Sequence, residues 1–430
     1  MARSKTIGIA ALLALTLLLL GVGLNPDEEF RLILTWQKPA PYPPPLLAGM
    51  EVKTLNRLLD SGNLQWYEPR PEPDKWEAVV GLKVHAPAQV VWEVITDYPA
   101  LCRIMPETYL ACETEYRKGN EVKNNQKGQT TVLKFAYKYD IIDIVTESPP
   151  YDHHVLTISG LEKRELTVKL IPINDNETLL FMRYYLNMAA LGYSMQAVLA
   201  VLPMIEPPTA VGAANYHSRA YKNEAEQRVG YKPPREPKPL ETISGFDLRT
   251  LGIIDEHGGG LIRETPEGKI IDALAFTIIN APPERVWEVI TDFDHYEQIF
   301  PGSASKVESR EGNQVTLYQT TASLNVLIFS FGYELHARYT LDPPHHLSYV
   351  AIDGLYEGSH GDFQIQPLEN GKKTLLFNRG GLNLEKDQGL TARIIKSGAF
   401  PLENMLDMMG AQAALARIKY TAEQGEGKSK

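Results

Sequence analysis

Thirteen residues of this chain occur twice. Ala86-Pro87-Ala88-Gln89-Val90-Val91-Trp92-Glu93-Val94-Ile95-Thr96-Asp97-Tyr98 returns 195 residues later as Ala281-Pro282-Pro283-Glu284-Arg285-Val286-Trp287-Glu288-Val289-Ile290-Thr291-Asp292-Phe293, with nine positions identical. A repeat of that spacing is too long for a solenoid unit and has the size of a whole domain. The 430 residues therefore read as two copies of one fold. Within the stretch, Val91, Trp92, Val94 and Ile95 and their partners Val286, Trp287, Val289 and Ile290 recur at helical spacing. This predicts a short helix with one buried face and Glu93 and Glu288 toward water. Pro fits the first helical turn, where its missing N–H is no loss. The helix should give way near Tyr98-Pro99, and a second short turn should end at Pro106 and Pro301.

The elements around the motif also match. Each copy opens with a hairpin, Leu64–Glu68 into Trp76–His85 and Leu261–Glu264 into Lys269–Asn280. Alternating strands follow, clearest in Phe135-x-Tyr137-x-Tyr139-x-Ile141 and Phe329-x-Phe331-x-Tyr333-x-Leu335. That period marks half-buried antiparallel strands. A later strand pair carries Phe181 and Arg183 in one copy, Phe377 and Arg379 in the other. Helical regions close the copies over 194–226 and 390–424. In the first, Pro203, Pro207 and Pro208 are expected to break or kink the helix.

A strand ending in Ala-Pro, then V-W-x-V-[IL]-T-D-[YF], then a short helix ending in Pro, resembles the start of a helix-grip domain. That superfamily holds START-related lipid-transfer proteins, polyketide cyclase/dehydrase-like proteins and the coenzyme-Q-binding START-like group. The resemblance covers residues 55–226 and 248–424. It implies an α+β chain of two tandem helix-grip domains, each a curved antiparallel sheet wrapped around a long C-terminal helix. It also implies a hydrophobic small molecule or lipid as ligand, held between sheet and helix. The runner-up is an aromatase/cyclase-like enzyme, and a third possibility is a ligand-free interaction module. The fold alone does not choose.

The remaining segments have plain readings. Ile7–Leu24 is an apolar run after Arg3 and Lys5 and before Asp27, Glu28 and Glu29. Residues 1–25 read as a signal anchor or a cleaved signal peptide, with a buried core helix as the alternative. The charge order favours export, giving a chain anchored on the extracytoplasmic (periplasmic) side, or released there if cleaved. Residues 26–54 are a Pro-rich spacer. Residues 227–247 are a Pro-rich linker, expected to hold the domains at limited separations without fusing them. Cys102 and Cys112 could be joined in an exported protein, but two separate buried thiols are the expectation. With 43 basic against 53 acidic residues and no basic cluster, nucleic-acid binding is excluded as a leading reading.

No nucleophile elbow, phosphate loop or metal-binding helix motif is present in the sequence. No cofactor or metal is implied, and no turnover is expected, since no matched acid–base pair stands out. His153-His154 and His345-His346 read as strand-start residues, and neighbours on a strand point to opposite faces. Asp97 and Asp292 read as helix-end caps. The candidate ligand-binding set is Phe135, Tyr137, Tyr139, Phe329, Phe331 and Tyr333 on the strands, with Met405 and Met409 on the closing helix. Arg183 and Arg379 would grip a carboxylate or phosphate headgroup if their strand face is the concave one. The aromatic and methionine residues point to the second domain as a site for a lipid-like molecule.

Overall fold

The computed structural model describes residues 45–424 except 71, 73, 74, 133, 134, 150, 151, 161, 162, 188–205, 235–245, 266–269, 301, 302, 327, 328, 355, 382 and 384–402. In copy one, α1 (Val52–Leu59) leads into β1 (Asn63–Pro69) and β2 (Trp76–Val84). The repeated stretch forms α2 (Ala88–Thr96), followed by the short α3 (Leu101–Ile104). Six strands come next: β3 (Tyr109–Lys118), β4 (Glu121–Val132), β5 (Phe135–Ser148), β6 (Asp152–Gly160), β7 (Lys163–Asn174) and β8 (Glu177–Asn187). Helix α4 (Glu206–Arg228) closes the copy. Copy two repeats the order: α5 (Leu248–Glu256), β9 (Gly260–Glu264), β10 (Ile270–Ile279), α6 (Pro283–Thr291) and α7 (Tyr296–Ile299). It continues with β11 (Ser303–Glu311), β12 (Gln314–Val326), β13 (Phe329–Asp342), β14 (His346–Ala351), β15 (His360–Leu368), β16 (Lys373–Gly381) and α8 (Glu403–Gln424).

The expected local physics holds in the repeated helices. Val91, Val94 and Ile95 are buried and Glu93 is exposed, as are Val286, Val289, Ile290 and Glu288 in turn. Pro207 and Pro208 stand in the first turn of α4, where a missing N–H breaks no bond. Pro203 lies outside the described residues.

All strands among the described residues join one antiparallel sheet of 16, in the order β11-β12-β13-β14-β15-β16-β10-β9-β1-β2-β8-β7-β6-β5-β4-β3. The two halves are mirror-ordered and meet where β1 pairs with β9. Gln65 lies opposite Gly260, its own counterpart in the repeat. Each half has a core between its concave face and its closing helix. In copy one, Val80, Leu82, Leu180, Met182 and Tyr184 face Val211, Ala214 and Tyr221 of α4. In copy two, Ala273, Ala275 and Leu376 face Met408, Ala411 and Leu415 of α8.

A third core lies on the opposite face and belongs to both copies. It joins Leu55 and Leu58 of α1, Leu251 and Ile254 of α5, and Trp66, Val79, Leu179, Phe181, Leu261, Leu274, Phe276 and Phe377 of the strands. Gly81 makes room for it, since a Cβ there would sit 2.3 Å from the Phe181 ring. The expectation that the domains stay unfused is therefore corrected. A continuous sheet and a shared apolar core hold them together. Helices α1 and α5 are the reason, and Leu55, Leu58, Leu251 and Ile254 carry their one-sided spacing. The two cysteines are also corrected: Cys102 and Cys112 form a disulfide between α3 and β3.

Candidate functional site

The concave face of copy one carries charge where an apolar core is the simple expectation. Asp143 on β5 and Arg164 on β7 form an ion pair at 2.8 Å, with Asp143 only 1% and Arg164 only 4% exposed. The guanidinium also donates to Gln126 Oε1 at 3.0 Å and to the Tyr109 hydroxyl at 2.8 Å. Thr157 donates to the other carboxylate oxygen of Asp143. The Tyr109 hydroxyl in turn lies 2.9 Å from His217 Nε2 on α4. His217 Nδ1 lies 2.8 Å from the Ala213 carbonyl, which can only accept. The proton therefore sits on Nδ1, Nε2 is an acceptor, and Tyr109 donates to it. The result is a directed chain, Arg164 to Tyr109 to His217 to Ala213. It ties the sheet to the helix that covers it.

A second polar cluster lies farther along the same face. Glu147, four residues after Asp143 and so about 13 Å along the strand, accepts from Tyr98 at 2.6 Å and pairs with Arg117 at 2.7 Å. Tyr98 is also 3.3 Å from His153 Nε2, and Trp92 meets the His153 ring edge-on. Buried polar atoms on this face without a hydrogen-bond partner among the described residues include Asn124 Nδ2 and His153 Nδ1.

Burial sets the protonation states. It pushes His217 down to about 4, helped by the neighbouring Arg164 charge. It pushes His153 down to about 3, with a smaller contribution from His154. Both imidazoles are neutral at physiological pH. The Tyr98 and Tyr221 hydroxyls are pushed upward by burial.

Acid titration follows with a definite sign. The folded His217 binds fewer protons than the unfolded one between about pH 4 and 6.5, so its contribution is full above 6.5 and is lost on acidification through that window. The loss is on the order of 3 kcal/mol. Urea unfolding at pH 7 and pH 4.5 should show His217→Gln losing less stability than the parent. Equal losses would contradict the assignment.

Copy two lacks this chemistry. Asn124 lies opposite Asp143 on β4 and β5, and Leu317 lies opposite Ala337 at the equivalent pairing. Glu226 and Glu423 cap equivalent N–H groups, of His85 and Asn280. That alignment places Ala414 and Ile418 where copy one has His217 and Tyr221. Phe293 replaces Tyr98, and Leu341 and Leu347 replace Glu147 and His153. Polar contacts among the described residues here include Tyr339 donating to Gln319 at 3.1 Å, within stacked Tyr339 and Tyr349 rings, and Asn378 Nδ2 donating to the Ala411 carbonyl at 3.4 Å.

The sequence-predicted residues divide accordingly. Phe135, Tyr137 and Tyr139 lie on β5 and Phe329, Phe331 and Tyr333 on β13, opposite β4 and β12. Their side chains, and those of Met405 and Met409 on α8, lie outside the described residues. Met408 is buried in the second core against Gly260. The two arginines are a correction. Arg183 shares a face with Phe181 as expected, but that face is the convex one. It is sealed there by Glu68 at 2.6 Å and Glu77 at 3.2 Å. Burial raises Glu77 to about 7 against the opposing pull of Arg183. Arg379 likewise faces outward and holds Asp362 at 2.7 Å. Neither arginine reaches the space under a closing helix. His153 and His154 do point to opposite faces, the second pairing with Glu165. Asp97 lies near Arg228, and Asp292 bonds His295 at 2.8 Å, both at the surface. Among the described residues no group of side chains could hold a metal ion, and no helix is long and apolar enough to cross a membrane. The apolar segment 7–24 lies outside them.

This architecture is that of two helix-grip domains in tandem. The second copy matches the family described as polyketide cyclase / dehydrase and lipid transport over residues 279–412. No curated protein matches the sequence significantly. Among solved structures, the chain is similar to the di-domain ARO/CYC StfQ from the steffimycin biosynthetic pathway, at 13% identity over 81% of this chain and 99% of that one, with a TM-score of 0.30. It is also similar to the Zhui aromatase/cyclase from a Streptomyces species, at 19% identity over 36% of this chain and 93% of that one, TM-score 0.30. A START superfamily protein from Mycobacterium smegmatis matches at 15% identity over 35% and 98%, TM-score 0.27.

Proposed function

We propose that the chain binds a hydrophobic small molecule or lipid under the closing helix of its first copy. One observation carries this reading. The concave face of copy one sets a few convergent polar groups into an otherwise apolar wall, and copy two has Ala337, Leu317 and Ala414 at the corresponding places. Apolar walls with few oriented polar groups are the usual make-up of small-molecule sites. A fold built for stability alone gains little from a buried ion pair, which apolar residues can replace at no loss. The second copy then completes the molecule through the shared core. The test is photolabelling of the full chain with a diazirine-bearing long-chain alcohol, followed by peptide mapping. Labels that a competing unlabelled alcohol removes should fall within residues 121–170 and 206–228. Labelling only of copy two, or none that competes, would contradict the proposal.

A second reading is turnover of the bound molecule. It is favoured by the Tyr109 hydroxyl, oriented between Arg164 and the acceptor nitrogen of a neutral His217, a disposition that suits proton transfer. Tyr109→Phe should then abolish product formation and keep photolabelling. We also propose an extracytoplasmic location with the apolar segment as anchor. The Cys102–Cys112 disulfide supports it, since such bonds persist in oxidising compartments. A reporter active only outside the cytoplasm, fused after residue 50, should be active.

A further inference from the structure

Charge bookkeeping on the concave face narrows the ligand class further. Among its described residues, every ionic side chain is already matched. Arg164 is balanced by Asp143 and Glu147 by Arg117. His217 and His153 are neutral, as are Tyr109, Tyr98, Gln126, Asn124 and Thr157. An incoming carboxylate or phosphate would find no unmatched cation. Pairing with Arg164 would compete with Asp143, and displacing that carboxylate would leave it buried with Thr157 alone. A buried charge without a counter-charge is heavily disfavoured. An uncharged oxygen meets no such obstacle. The Asn124 amide nitrogen is a buried donor with no partner, beside Asp143 in the strand register. The His153 Nδ1 is a second unpartnered polar atom, at the other cluster. Between them the wall is Val145 and Val155.

We propose that the first copy selects an uncharged molecule, apolar along most of its length and bearing a carbonyl or hydroxyl oxygen that accepts from Asn124, and that it discriminates against the corresponding carboxylate. This rests on the reading that the first copy binds a hydrophobic molecule at all. The two arginines that a sequence reader would assign to an anionic headgroup are consistent with it, because both are spent on the convex face.

The experiment compares two intrinsically fluorescent probes with the same polyene chain, cis-parinaric acid and its alcohol, titrated into the full-length protein at pH 7.4. The alcohol should bind at least tenfold more tightly. Asn124→Leu installs the residue that copy two carries at this place, and should weaken the alcohol about tenfold while leaving the acid nearly unchanged. Asp143→Asn removes the counter-charge of Arg164, and should shift the acid-to-alcohol preference at least tenfold toward the acid. Because this is a ratio within one protein, it is readable even if the variant is less stable. Equal affinities in the parent, or tighter binding of the acid, would overturn the inference and leave the binding reading intact. Undiminished alcohol binding by Asn124→Leu would overturn the role given to Asn124. Uptake of neither probe would overturn the binding reading, and the inference with it.

Discussion

Asp143→Ala should destabilise the protein by about 3–5 kcal/mol, because it leaves the Arg164 guanidinium buried without a counter-charge. The arginine cannot shed its proton, and its remaining partners, Tyr109 and Gln126, are neutral. Arg164 is only 4% exposed, between sheet and helix. The double variant Asp143→Leu with Arg164→Met removes both charges and restores apolar contact. It should recover most of the loss or exceed the parent in stability, as buried pairs replaced by apolar residues often do. A surface pair gives the scale: Arg103 and Glu224 are bonded at 2.8 Å with Arg103 61% exposed. Arg103→Ala should cost about 0–1 kcal/mol, since Glu224 keeps Arg228 as a partner. Urea denaturation of the four proteins measures all of this. A loss for Asp143→Ala no larger than for Arg103→Ala would mean that the pair is solvated.

Trp66→Ala should cost about 3–5 kcal/mol and should lower the unfolding temperature of both copies together. Trp66 is fully buried in the third core, 6.2 Å from the Phe181 ring, and its indole nitrogen donates to Glu68 at 3.0 Å. The core it anchors takes α1 from one copy and α5 from the other, so a cavity there loosens both halves. The sheet crosses the same boundary through β1 and β9. Calorimetry should therefore show one cooperative transition in the parent, shifted as a whole in the variant. Two separate transitions, with the one from copy two unmoved, would show that the copies are independent domains.

The duplication, the hairpins, the repeated helix and the alternating strands were all legible in the sequence. They depend on local periodicity and on comparison of the two copies. The concave-face cluster was not, because its members come from far apart: Tyr109 is 55 residues from Arg164 and 108 from His217. One signal was available. The alternation of Phe135, Tyr137, Tyr139 and Ile141 in the sequence continues to Asp143, whereas the same alternation in copy two reaches Ala337. A carboxylate in an apolar phase, present in one copy only, marks a diverged site. Arg183 was misassigned for a different physical reason. Leu180 and Phe181 on its strand are both fully buried, because β8 packs on both faces. Alternation gives two faces there and does not say which one is concave. Helices α1 and α5 were not read as elements, although all of α5 and all but the first three residues of α1 fall inside the ranges given to the two domains. Eight or nine residues make a weak periodic signal, and their packing partners come from the other copy.

Native mass spectrometry after gentle extraction reads directly whether the first copy holds the ligand. Ala214 of α4 and Ala411 of α8 are equivalent residues, buried under their helices at 0% and 6% exposure. Tryptophan at either place fills the space between helix and sheet. The parent chain should carry an additional small-molecule mass, Ala411→Trp should keep it and Ala214→Trp should lose it. Retention by Ala214→Trp with loss by Ala411→Trp, or a parent chain with no additional mass, would contradict the account.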